Sequence, residues 1–153
     1  WTCVKGVPMI KQLSIFIENK EGRLSEILKV FKDHQLDIRS LTIVETNDYG
    51  ILRLILSETE RALSNLKKDN IMVTETKVMA IEISDSPGQM YEFVNALGEE
   101  KINIEYAYQF LTQKQGQAVI IFKVKEEDNQ QAKDILKEKN VGVLLDHKKL
   151  LSL

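Results

Sequence analysis

Leu13, Ile15 and Ile17 alternate with less consistent neighbours, and Met79, Ile81 and Ile83 repeat the alternation later in the chain. A period of two predicts strands with one buried face. Each run leads into an apolar stripe at i, i+3, i+4 and i+7: Leu24, Ile27, Leu28 and Phe31 first, then Met90, Phe93, Val94 and Leu97. That spacing gives an amphipathic helix. "DIRSLTIVETN" from Asp37 and "NIEYAYQFLTQ" from Asn103 read as second strands, each followed by a glycine, Gly50 or Gly116, at an expected hairpin turn. Leu52, Leu54 and Leu56 on the returning strand match Ala118, Ile120 and Phe122. A second helix follows in each half, marked by Ala62 and Leu66 and by Ala132 and Leu136, with a few residues inserted before the later one. Final strands are predicted near Ile71–Thr76 and Val141–Leu145.

The pattern is therefore β-α-β-β-α-β, written twice. It predicts an α+β protein of two tandem ferredoxin-like units, each an antiparallel sheet with helices on one face. The expected boundaries are an N-terminal extension of upstream sequence at 1–8, a first domain at 9–77 and a second at 78–153. The junction "IMVTETKVMAIEIS" has no proline, no glycine and no serine-rich linker. The last strand of the first copy is expected to run straight into the first strand of the second.

Composition narrows the function classes. The chain is 43% hydrophobic and 29% charged, with a formal net charge of −2, which is ordinary globular chemistry. No apolar run approaches the roughly 18–20 residues of a membrane span. The slightly acidic balance argues against nucleic acid, which needs a concentrated Lys/Arg field. The single cysteine, Cys3, cannot form a disulfide within the chain, which fits a reducing, cytoplasmic setting. "WTCVKGVP" is too short for a secretory signal and lacks the charged start. His34 and His147 have no partners at metal-ligand spacing, so no metal is expected. No nucleophile elbow, P-loop or dinucleotide fingerprint is present, so neither catalysis nor a cofactor is expected. Asp146-His147 reads as a surface helix start.

Residues at two places carry a family resemblance. "DSPGQM" from Asp85 to Met90, with "INI" at Ile102–Ile104, resembles the ACT-domain signature Asp/Asn-x-Pro-Gly-x-Leu, apolar helix, Asn-Ile. "NKEGRL" from Asn19 to Leu24, with "LDI" at Leu36–Ile38, resembles it with departures: Glu21 replaces proline and Asp37 replaces asparagine. The resemblance covers residues 10–146 as two copies. It implies a standalone regulatory module, without catalysis, that binds a free amino acid or similar small metabolite between ACT domains. A homodimer and a biosynthetic enzyme partner are also implied.

The implied ligand residues are Asn19, Glu21, Gly22, Arg23, Leu24, Asp37 and Ile38 in the first copy. In the second they are Asp85, Pro87, Gly88, Gln89, Met90, Asn103 and Ile104. The physical basis is the helix tip. Its first N–H groups lack intrahelical partners and carry partial positive charge, and a glycine lets a carboxylate approach the backbone. The dipole contributes only about 0.3–1 kcal/mol when exposed, so an ammonium partner and apolar contacts are needed too. Leu24 and Met90 suit branched-chain, aromatic or sulfur-containing side chains.

In the second copy Ser86 is expected to cap the helix, with Pro87 at its first position and Gln89 closing a capping box. Lys20 and Arg23 exclude such a box in the first copy, which is therefore expected to be the hungrier anion site, with Arg23 adding a charge-assisted contact. By family resemblance Asn19 would face Asn103, and Asp85 would face Asp37, where two carboxylates repel. The Asn19–Arg23/Asn103 set is the expected competent one. Duller roles compete: tight turns for the glycines, caps for Asp85 and Ser86, strand starts for Asp37 and Asn103.

Ile104, Tyr106, Tyr108 and Phe110 are expected to share one sheet face, as core, subunit contact or ligand platform. Exposed Ile51, Ile55 and Ile121 would favour a dimer. The alternative function is a ligandless oligomerisation or interaction module regulating a partner enzyme. RNA binding, which shares the element order, is disfavoured because "YGILRLILS" and "GQAVIIFKV" lack the aromatic and basic pattern it needs.

Overall fold

The structure, a computed structural model, describes residues 6–153 and resolves into two compact units: Lys11–Thr76, and Lys77–Leu153 together with the residues up to Ile10. Cys3 lies outside the described residues. No described helix is long and apolar enough to cross a membrane.

The first unit takes most of β1 (Ile10–Glu18), then α1 (Arg23–Asp33), β2 (Ile38–Glu45), β3 (Tyr49–Leu56), α2 (Thr59–Lys68) and the start of β4 (Val73–Ser84). β3 pairs antiparallel with β1 on one side and β2 on the other. Leu13, Ile15 and Ile17 of β1 meet Leu52, Leu54 and Leu56 of β3 in a core closed by Ile27 and Phe31 of α1 and Ala62 and Leu66 of α2. Every second strand residue thus faces the helices, as alternation requires. Arg61 ties the helices together. It holds Glu58 through Nε at 2.7 Å and donates to the carbonyls of His34 at 2.7 Å and Gln35 at 3.0 Å, satisfying the end of α1.

The second unit repeats the order with the rest of β4, α3 (Gln89–Gly98), β5 (Tyr106–Phe110), β6 (Gln117–Lys123), a 3-10 turn (Glu126–Asp128), α4 (Asn129–Lys139), β7 (Val143–Leu145) and a short α5 (His147–Leu151). Its strands lie in the antiparallel order β7-β4-β6-β5. Phe93 of α3 meets Phe122 of β6 edge-on, ring centres 4.9 Å apart, at the middle of the core. Val7, read from sequence as part of an extension, is buried in this core. Asp146 caps α5 by accepting from the Lys149 N–H at 2.8 Å, so the Asp146-His147 pair does begin a helix.

Register corrects several sequence expectations. Ile17 faces Gly50, but its counterpart Ile83 faces Ala118 rather than Gly116. The second hairpin is therefore two residues longer, and the two glycines do different work. Gly116 turns the chain at φ 77. Gly50 lies inside β3, where an added Cβ would stand 3.4 Å from Ile17 Cγ1 and from the Val44 carbonyl oxygen. The remaining insertion falls after β6, where the 3-10 turn precedes α4.

β5 starts only at Tyr106, so Asn103 precedes the strand, and Ile104 packs against the helix-side core. Ile104 is thus not in the stripe with Tyr106, Tyr108 and Phe110. Those three lie opposite Lys123, Ile121 and Val119, on the other face of β6 from core residues Ile120 and Phe122. Ile55 and Ile121 are fully buried rather than exposed. For Ile121 the reason is visible across the strands: it neighbours buried Ala80, which neighbours buried Leu145, and α5 follows directly with Leu150 also buried.

Candidate functional site

Both signature loops fold alike. Lys20 to Arg23 closes a turn in which the Arg23 N–H donates to the Lys20 carbonyl at 3.3 Å; Ser86 to Gln89 closes the same turn at 3.2 Å. Gly22 (φ 80, ψ −12) and Gly88 (φ 89, ψ −12) take the third position, and each directly precedes its helix. That conformation is the hallmark of a type II turn, which demands glycine there and favours proline just before it.

Pro87 is therefore a turn residue and not the first residue of the helix. Neither helix has a side-chain cap. The expected Ser86–Gln89 capping box does not form: the left-handed glycine moves the helix start beyond the reach of Ser86, whose hydroxyl lies 3.1 Å from that of Ser84. The two helix tips are equally uncapped, so capping does not distinguish the copies.

What surrounds the first tip is more specific. A cleft of about 390 Å³ opens beside the Asn19–Leu24 loop. Its apolar lining is Ile17 of β1, Leu24 of α1 and Ile43 of β2; its charges are Glu18, Lys20 and Glu45; Asn19 and Gly50 complete it. Three strands assemble this end of the sheet, because Glu45 pairs with Gly50 and Gly50 with Ile17. The Asn19 N–H donates to the Asp48 carbonyl at 3.0 Å, which holds the loop against the β2–β3 hairpin. Lys20 Nζ stands 3.5 Å from Glu18. Arg23 pairs with Glu26 at 3.0 Å, and its Nε is buried without a hydrogen-bond partner among the described residues. An unsatisfied buried donor of this kind calls for an acceptor.

The remaining predicted residues stand elsewhere. Glu21 and Gly22 form the turn itself. Asp37 and Ile38 lie at the far end of β2 from Glu45. There Asp37 accepts from the Ser57 hydroxyl at 2.8 Å and from its N–H at 3.2 Å, fastening the β3–α2 connection. Within the first unit the loop and the start of the second strand are thus held apart by the length of β2. In the second unit the Asp85 N–H donates to Gly116 at 3.0 Å, while Asn103 and Ile104 precede β5. Gln89 and Met90 open α3, and Met90 is 44% exposed.

As cleft residues, Ile17, Glu18, Ile43, Glu45 and Gly50 escaped the sequence reading. No local motif holds them; only the strand register brings them together. Among the described residues no His, Cys, Asp and Glu cluster is suited to a metal.

The profile of the family described as an ACT domain pair matches residues 8–153. The crystal structure of protein BT0572 from Bacteroides thetaiotaomicron is similar at 34% identity, covering 96% of this chain and 99% of that one, with a TM-score of 0.84. The ligand-free regulatory subunit of aspartate kinase from Thermus thermophilus shares the fold at 11% identity (87% and 93% coverage, TM-score 0.58). So does E. coli aspartokinase III in complex with aspartate and ADP, at 18% identity (86% of this chain and 32% of that one, TM-score 0.52). No curated protein matches.

Proposed function

The chain belongs to the ACT domain pair family, whose domains are regulatory modules, and on that premise we propose that it senses a free amino acid without catalysing a reaction. The observation that carries this reading is the cleft beside the uncapped Gly22 helix tip. It offers the Leu24 N–H at the helix tip and the Lys20 ammonium to a carboxylate, Glu45 to an ammonium, and Ile17, Leu24 and Ile43 to a side chain. The second signature loop lacks these charges. The positions matching Glu18 and Lys20 in the repeat are Ser84 and Ser86, so the site belongs to the first copy.

Occupancy would act by favouring one assembled state of a cytoplasmic homodimer, or of its complex with a biosynthetic enzyme, over another. The test is a thermal-shift screen of the twenty amino acids on the full chain. A ligand that binds only the folded state raises the melting temperature with concentration. The reading expects such a rise for a small subset, and a flat response to all twenty rejects it.

A second reading, an interaction module that needs no ligand, is favoured by one observation. Phe16, Ile51 and Val44 are cross-strand neighbours on the face of β1–β3–β2 that points away from α1 and α2. Phe16 and Val44 are both about half exposed. An apolar row of this kind suits a protein surface. A flat thermal screen combined with a concentration-dependent dimer would select this reading.

A further inference from the structure

We infer that the first-unit cleft selects an amino acid with an aliphatic side chain and rejects acidic and basic ones. The inference rests on the ligand reading above and names the ligand class of that same site.

The selection follows from how the lining divides. Three aliphatic side chains, Ile17, Leu24 and Ile43, form the apolar part. Ile43 is 44% exposed although it faces the helix side, opposite core residue Leu52. A large aliphatic residue left open on the wall of a cleft is poised to gain by covering.

The charges fix the polar end. Lys20 already neutralises Glu18 at 3.5 Å, so Glu45 is the carboxylate left to receive an ammonium, and the Lys20 ammonium, with its three donors, spans Glu18 and the ligand carboxylate. An acidic ligand side chain would add negative charge beside Glu18 and Glu45. A basic one would have to desolvate its charge against Ile17, Leu24 and Ile43. A neutral aliphatic chain avoids both costs.

The second copy does not reproduce this chemistry. Strand register places Gln109 opposite Ile120 as Ile43 stands opposite Leu52, and Ala118 opposite Ile83 as Gly50 stands opposite Ile17. Leu111 holds the position corresponding to Glu45. The apolar wall has become polar, the carboxylate apolar, and the glycine has gained a Cβ.

The experiment is isothermal titration of the full chain with leucine, isoleucine, valine, aspartate, lysine and 4-methylpentanoate, the last being leucine without its ammonium. At least one of the three aliphatic amino acids is expected to bind about tenfold or more tighter than aspartate or lysine, the scale of one charge-assisted hydrogen bond or more. Glu45→Gln, an exposed substitution whose folding is checked by thermal melting, is expected to weaken that amino acid about tenfold while leaving 4-methylpentanoate unchanged. Tighter binding of aspartate or lysine overturns the aliphatic selection and leaves the amino-acid reading standing. Equal weakening of amino acid and 4-methylpentanoate by Glu45→Gln removes the assigned ammonium partner and overturns the inference. Absence of binding by any amino acid in the thermal screen overturns both.

Discussion

Gly50 faces Ile17 across β3 and β1, and a single added Cβ would stand 3.4 Å from Ile17 Cγ1, already in van der Waals contact, with no room for a branched side chain beyond it. Both residues line the cleft, so the missing side chain keeps its floor open. Gly50→Val is expected to lower stability by about 1–3 kcal/mol through overpacking and to abolish the ligand response. Urea unfolding and titration measure the two effects separately. Ala118→Gly, at the equivalent place in the second unit, is expected to leave ligand binding unchanged.

The two signature-loop glycines, Gly22 and Gly88, have open space where a Cβ would go, so their cost on substitution is backbone strain alone. Gly22→Ala and Gly88→Ala should each destabilise by about 1–2 kcal/mol, the left-handed penalty of an L-residue. Equal values are expected, because φ 80 and φ 89 belong to the same turn. A difference above 1 kcal/mol, by urea midpoint, would mean that one loop is held by contacts the other lacks.

Gly142 is a different case. A Cβ there would lie 2.8 Å from the Glu82 carbonyl oxygen and from the Ile81 side chain. Gly142→Ala must therefore push β7 from β4 at the Glu82–Val143 pair. A loss of about 1–3 kcal/mol is expected, with faster hydrogen exchange confined to the amides of β7 and the facing part of β4.

The strand and helix pattern was legible because burial on one face imposes it residue by residue. Leu13, Ile15 and Ile17, with Ile27 and Phe31 of the stripe, lie in the core and Leu24 packs against it, while the half-buried Leu28 stands outside that cluster. What the sequence hid has physical causes. Ser86-Pro87 resembles a helix start, but Gly88 in the left-handed region makes it a turn and moves the helix on. Gly50 and Gly116 match in sequence spacing, yet two extra hairpin residues separate their roles. The cleft depends on Ile43 and Glu45 reaching Ile17 through β3, a register that no local spacing encodes.

The exposed ion pairs add a small share to stability, screened by solvent, that depends on pH. Hydrogen bonding from Arg61 holds the Glu58 carboxyl below its ordinary 4.5. Lys139, then Asn95, does so for Glu99, and Lys29 holds Asp33 below 3.8. Depressed carboxyls stabilise the fold above their ordinary values, and that contribution is lost as pH falls through the folded values. Lys139, Lys29 and Lys11 are raised above 10.5 by Glu99, Asp33 and Glu60; their contribution is present below 10.5 and lost as pH rises through the raised values. Urea midpoints should therefore be level at neutral pH and fall below about pH 4.5. Glu99→Gln should flatten the acid fall without moving its neighbours' share.

The proposed function places a free amino acid at the Asn19–Leu24 loop of the first unit. Amide NMR of the full chain, recorded as the best ligand from the thermal screen is added to saturation, tests it most directly. Saturable shifts are expected at the amides of Asn19, Lys20, Gly22, Arg23 and Leu24 and at Ile43 and Glu45, with those of Ser86 to Met90 nearly still. Shifts concentrated at Ser86 to Met90 instead, with the Asn19–Leu24 amides unmoved, would contradict it.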